Sequence, residues 1–165
     1  MAMREQTSVR FKISSLTLSA KDIAARTGLT PDESWKIGDA RGAFGNVEKR
    51  HGFVLESKAM MQATLDDHIK AMLKRLAPHA QNIGAIAAET TIEFVCIVHR
   101  NVAPMLHFER DDIRWLGVMG AKLDVDIFII DEAKTKAKYS SPAAPATGGG
   151  TGETAPPAAG SGPSF

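Results

Sequence analysis

Hydrophobic and polar residues alternate at the start of the chain, where Val9, Phe11 and Ile13 are interleaved with Arg10, Lys12 and Ser14. A period of two places one set on a buried sheet face and predicts a first strand. Ser19 followed by Asp22 forms a capping signal, Ile23-Ala24-Ala25-Arg26 favours a short helix, and Gly28 is placed to end it. Thr30-Pro31-Asp32-Glu33 reads as a turn, Trp35 and Ile37 as a short strand, and Gly38, Gly42 and Gly45 as punctuation of an irregular loop. Phe53 to Ser57 is expected to return as a strand.

A second capping signal, Thr64 with Asp67, precedes Leu65, Ile69, Met72, Leu73 and Leu76, whose spacing describes the most regular amphipathic helix in the chain. Pro78 is expected to bend or stop it, with a further helical piece carrying Ile83 and Ile86. Thr91 to His99 is apolar on both faces, as a central strand would be. Leu106 and Phe108, after the turn Asn101-Val102-Ala103-Pro104, are expected to form its hairpin partner. Asp111 or Asp112 is expected to cap a helix with Ile113 and Leu116 that ends at Gly120. Leu123, Val125, Ile127 and Ile129 alternate with Asp124 and Asp126 as the last strand. The order β-α-β-β-α-β-β-α-β predicts an α+β fold: a mostly antiparallel sheet of about six strands, with helices packed mainly on one face.

Composition then sets the limits of that domain. From Ser140 to Phe165, 24 of 26 residues are Ser, Pro, Ala, Gly or Thr, a composition too poor in apolar surface to fold. Residues 1–7 are accordingly expected to be a flexible N-terminus, 8–135 a single domain and 136–165 a disordered tail, with the basic run Lys134 to Lys138 at the boundary. The lone Cys96 excludes an intrachain disulfide, and its apolar surroundings predict a buried, inert thiol. The residues before Arg10 have no apolar core of the kind a secretory signal needs, so a cytoplasmic setting is expected. No apolar run approaches the roughly 20 residues that cross a bilayer. Twenty basic residues face 18 acidic ones outside the tail, a balance that predicts no nucleic-acid partner.

Several motifs together resemble one family. They are Thr30-Pro31 through Trp35-Lys36-Ile37-Gly38-Asp39, Arg50-His51-Gly52-Phe53 with Ser57, Leu65-Asp66-Asp67-His68-Ile69, and Gly120-Ala121-Lys122-Leu123-Asp124-Val125-Asp126-Ile127-Phe128. In this succession the chain resembles the uncharacterised bacterial domain-of-unknown-function family numbered four-two-seven-nine. The resemblance implies a small bacterial α+β protein and carries over no activity, cofactor or catalytic residue.

Candidate chemistry is sparse. Asp124 and Asp126, two apart on a strand, project from one face and can serve as a carboxylate pair or as ordinary strand solvation. His99 and His107 flank the expected hairpin turn and would approach across it, yet no further ligands stand at a metal-site spacing, so neither metal nor cofactor is expected. The glycine-rich segment Gly38 to Asn46, followed by Lys49 and Arg50, leads toward a strand and matches neither phosphate-binding fingerprint. No nucleophile elbow, zinc-protease helix or paired-cysteine motif is present. Trp35 is a natural partner anchor beside the loop, whereas Trp115 is expected to pack a helix.

Two function classes compete. The first is a non-enzymatic protein-binding module, such as an immunity-type inhibitor or a regulatory accessory protein, with Trp35, Asp39, Arg50 and Phe128 as binding residues. The second is a small hydrolase-like or metal-dependent enzyme centred on Asp124 and Asp126 or on Trp35, Asp39 and Arg50. Val95, Ile97, Phe128 and Ile130 are expected on the sheet face away from the helices, where a protein partner or a second copy would cover them.

Overall fold

The computed structural model describes residues 5–130. The expected tail from residue 136 and the basic run at Lys134 to Lys138 lie outside the described residues. Seven strands and four helices follow in the order β1 (Gln6–Ser15), α1 (Ala20–Thr27), β2 (Glu33–Trp35), β3 (Ala40–Arg41), β4 (Asn46–Val47), β5 (His51–Glu56), α2 (Leu65–Leu76), α3 (Ala80–Ala85), β6 (Thr91–Arg100), α4 (Arg110–Met119) and β7 (Lys122–Ile129). A 3-10 turn, Ala77–His79, carries Pro78 between α2 and α3. The fold class is the α+β expected, although strand number and pairing differ in detail.

Five strands form one mixed sheet in the order β2-β5-β1-β6-β7, antiparallel except where β6 and β7 run parallel. All four helices contribute to a single core on one face. Val9, Phe11 and Ile13 of β1 meet Phe53 and Leu55 of β5 and Phe94, Cys96 and Val98 of β6 beneath Ile23, Ile69, Met72, Leu76, Ile83, Leu116 and Met119. Phe11 and Phe94 pack edge to face with ring centroids 5.2 Å apart, a geometry that aligns ring edges with π faces. The alternation read in β1 is therefore the alternation of core and open face, although the strand begins at Gln6, inside the segment expected to be flexible.

Local signals position the helices. Ser19 and Asp22 form the reciprocal capping box of α1, Thr64 and Asp67 that of α2, and Gly28 closes α1 in the left-handed conformation at φ 74°. Leu65, Ile69, Met72, Leu73 and Leu76 are all buried, as the spacing requires. Ile83 and Ile86 join the same core and do not cross to the other side of the sheet.

The folded chain departs from four expectations. Leu106 and Phe108 form no strand; residues 101–109 lead into α4 and the hydrogen-bonding edge of β6 goes to β7. Two alternating apolar residues after Pro104 offer a short edge, whereas β7 offers eight residues, and the α4 crossover supplies the long connection that a parallel pair needs. The glycine-rich segment is not irregular: Ala40 and Arg41 pair with Val47 and Asn46 as a small separate hairpin. The α4 cap is Glu109, whose backbone N–H donates to the Asp112 carboxylate at 3.3 Å, so Asp111 and Asp112 fall inside the first turn. Trp115, expected to pack the helix, is an exposed residue of α4, because the inward stripe is Asp112, Leu116 and Met119.

Candidate functional site

The face of the sheet opposite the helices is defined by register. Glu33, Val54, Lys12 and Glu93 lie in one cross-strand row, Glu56, Arg10, Val95 and Asp124 in the next, and Ile97 with Asp126 beyond them. At the β2 end the row is Trp35, Gly52 and Ser14. Gly52 is required there: a Cβ would come within 2.6 Å of the Ile13 carbonyl oxygen and 2.7 Å of the Trp35 ring. The missing side chain lets the indole lie on the strand. Lys12 Nζ sits 5.8 Å from the centroid of that ring, within cation-π range.

Over this end of the face the β3–β4 hairpin and the following segment form a wall. Together they enclose a half-open cleft of about 520 Å³, floored by Lys12, Ser14 and Trp35 and walled by Arg41, Asn46, Val47, Glu48, Lys49 and Arg50. The base of the hairpin is closed by the Gly38 N–H donating to the Glu48 carbonyl and the Glu48 N–H to the Asp39 carbonyl, each 2.8 Å, and the wall is tied to the sheet by the Ile37 N–H donating to His51 Nδ1 at 3.2 Å. Trp35 Nε1 and Arg50 Nε are buried there without a hydrogen-bond acceptor among the described residues.

The structure brings Trp35 and Arg50 into this one cleft and leaves the other candidates elsewhere. Asp39 shapes the turn before β3, its carboxylate accepting from the Lys36 N–H at 2.9 Å. Phe128 lies on β7, at the opposite edge of the sheet from Trp35, stacked on His99 with centroids 4.9 Å apart. Asp124 and Asp126 share the open face of that same strand, also remote from β2, and among the described residues no three His, Cys, Asp or Glu side chains group as metal ligands. Ile130, expected on the open face, is buried just past the end of β7 with its N–H bonded to the Arg100 carbonyl. His99 and His107 are not joined across a hairpin, since that hairpin does not form; His107 instead contacts Glu109 at 3.1 Å.

Two further polar contacts escaped sequence reasoning. His68 Nδ1 lies 2.9 Å from Ser57 Oγ, linking the chain after β5 to the first turns of α2. The pair resembles a nucleophile with its base, but His68 is 2% exposed, and the Ser57 hydroxyl is occupied in accepting the Ala59 N–H at 3.3 Å. Burial holds the imidazole below its ordinary pKa. The contact is a clamp between strand and helix. Asp32 accepts from Lys58 Nζ at 2.8 Å, the Glu56 N–H at 2.8 Å and Arg75 Nη1 at 3.0 Å. The Lys58 hydrogen bond first, with the Glu56 amide and Arg75, drives its carboxyl well below the usual carboxylate range. Cys96, by contrast, is pushed up to about 12 by burial and then by Asp124, which makes it a poor nucleophile near neutral pH.

The class defined by this geometry is a two-layer α+β domain with one sheet face left open among the described residues and a cleft at its β2 end. The chain belongs to the family described as Domain of unknown function (DUF4279), whose model matches residues 5–129. No curated protein and no solved structure matches it. No helix among the described residues is long and apolar enough to cross a membrane.

Proposed function

We propose that the chain is a non-enzymatic binding module, of the immunity-type or regulatory accessory kind, that holds a protein partner on the open face of its sheet. The observation that carries this reading is the cleft: an aromatic floor at Trp35, set on the sheet beside a face that no described residue covers and edged by a short hairpin. Aromatic and arginine side chains in such positions dominate interface energetics. The carboxylates that acid–base chemistry would use, Asp124 and Asp126, stand at the far edge of the sheet, which favours recognition over the hydrolase-like alternative. A cytoplasmic setting is consistent with the free, buried Cys96.

Co-expression with the proteins encoded beside it, followed by co-purification, tests the reading. The expected result is a partner retained by the wild-type chain and released by Trp35→Ala, with the variant still folded by circular dichroism. Retention that survives Trp35→Ala puts the contact elsewhere. Turnover of a carboxylic or phosphoric ester that Arg50→Ala abolishes would make the cleft catalytic instead. A second copy of this chain is the other occupant to consider, because Phe128 is half exposed on the edge strand β7.

A further inference from the structure

The cleft differs from the rest of the open face in its charge. Lys12, Arg41, Lys49 and Arg50 line it against a single carboxylate, Glu48. Its neutralisation is poor: Lys12 reaches Glu93 at 3.6 Å and Arg41 reaches Glu48 at 3.7 Å, the two longest ion pairs among the described residues. Lys49 and Arg50 have no carboxylate at ion-pair distance among those residues. A chain of net charge +1 has therefore concentrated four cations against one carboxylate in a concave surface, and a cleft lined by one sign of charge focuses its field.

We propose, resting on the binding-module reading above, that the cleft receives a short acidic segment of the partner protein, whose carboxylates meet Arg50, Lys49 and Arg41 while an apolar side chain lies on Trp35. Three features select this ligand. The cations come from separate pieces of chain, β1, β3 and the segment before β5, so they are spread along a trough and suit several carboxylates in succession. Outward from the cleft the same face carries Glu33, Asp124 and Asp126, with Glu56 and Glu93 held in ion pairs by Arg10 and Lys12, so no run of free cations leads on for a long polyanion to follow. The anion must therefore be short and confined to the cleft, which excludes a nucleic-acid track. Finally, Trp35 Nε1 and Arg50 Nε are buried without acceptors among the described residues. Buried donors without partners are costly, and a carboxylate admitted by a shift of the two-residue strands β3 and β4 supplies what the chain leaves out.

The test uses the full chain in a Trp115→Phe background, where Trp35 is the sole tryptophan. A short peptide of glutamates and leucine is titrated while indole emission is followed, beside its glutamine counterpart and inorganic phosphate. The expected result is a saturable shift with the glutamate peptide, none with the glutamine peptide, and weakening by added salt. Arg50→Gln and, independently, the exposed Lys49→Gln should each weaken binding about tenfold, whereas Arg10→Gln, on the same face but outside the cleft, leaves it unchanged. Phosphate that binds as tightly as the peptide and displaces it overturns the proposal in favour of a small anion. Equal weakening by Arg10→Gln, or no saturable response, also overturns it. A partner whose retention depends on Trp35 but not on Arg50 or Lys49 would sink this proposal and leave the binding module standing.

Discussion

The two faces of the five-stranded sheet are built from the same strands and differ in almost everything else. On the helical side, Phe11, Ile13, Phe53, Leu55, Phe94 and Cys96 are sealed from solvent, and their burial is the main source of folding free energy. On the open side, one residue further along each strand, Arg10, Lys12, Glu56 and Glu93 form cross-strand ion pairs beside half-buried Val95 and Ile97. A side chain on the first face is constrained by its neighbours' volume. One on the second is constrained mainly by charge, and is free to be shaped by a ligand. Stability is thus assigned to one set of alternate residues of β1, β5 and β6, and the recognition proposed above to the other.

The largest expected difference between the faces is at adjacent residues of β1. Phe11→Ala should cost about 3–5 kcal/mol, since it removes the edge-to-face partner of Phe94 and leaves a cavity in a sealed core. Arg10→Ala should cost under about 0.5 kcal/mol, because its 2.9 Å pair with Glu56 is about half exposed on both sides. Chemical denaturation of the two variants measures the contrast, and equal losses would abolish the distinction between the faces.

An intermediate effect is expected at the border of the two regions, where Asp32 ties the loop before β2 to β5 and α2. Its folded pKa is depressed, so its contribution is fully present above the ordinary value of 3.8 and is lost as pH falls through the lower folded value. Melting temperature should therefore fall from about pH 4 downward. Asp32→Asn should cost about 1–2 kcal/mol near neutral pH and flatten that acid limb. An unchanged acid limb in the variant would show that other carboxylates carry it.

A small effect on stability is also expected at Phe128→Asp, at the other edge of the open face. That side chain is 51% exposed and stacks only along the edge on His99, so the variant should stay within about 1 kcal/mol of the wild type. Sedimentation velocity and partner co-purification would then read its role in association. Unfolding of this variant would mean that the β7 edge belongs to the core.

Much of the helical face was legible residue by residue. The capping pairs Ser19–Asp22 and Thr64–Asp67, the inward stripe of α2 and the alternation of β1 are set by bonds and periods spanning a few residues, and the folded chain keeps them. The candidate site was legible only in parts. Trp35 and Arg50 stood out singly, but the signal joining them is Gly52, whose role as a seat for the indole appears only once β2, β5 and β1 are in register. Asp39, a binding candidate in the sequence, serves the turn before β3, as an Asx side chain beside a free backbone N–H readily does.

By itself the sequence determined the α+β class, the family resemblance, the ends of α1 and α2 and the split of β1 into a buried and a polar face, because each depends on interactions between near neighbours in the chain. Tertiary structure alone decided that β7 rather than Leu106–Phe108 takes the edge of β6, that residues 40–47 fold into a hairpin, and that four cations gather above Trp35. Those outcomes turn on competition for a strand edge and on the approach of segments distant in sequence. Local periodicity carries no term for either.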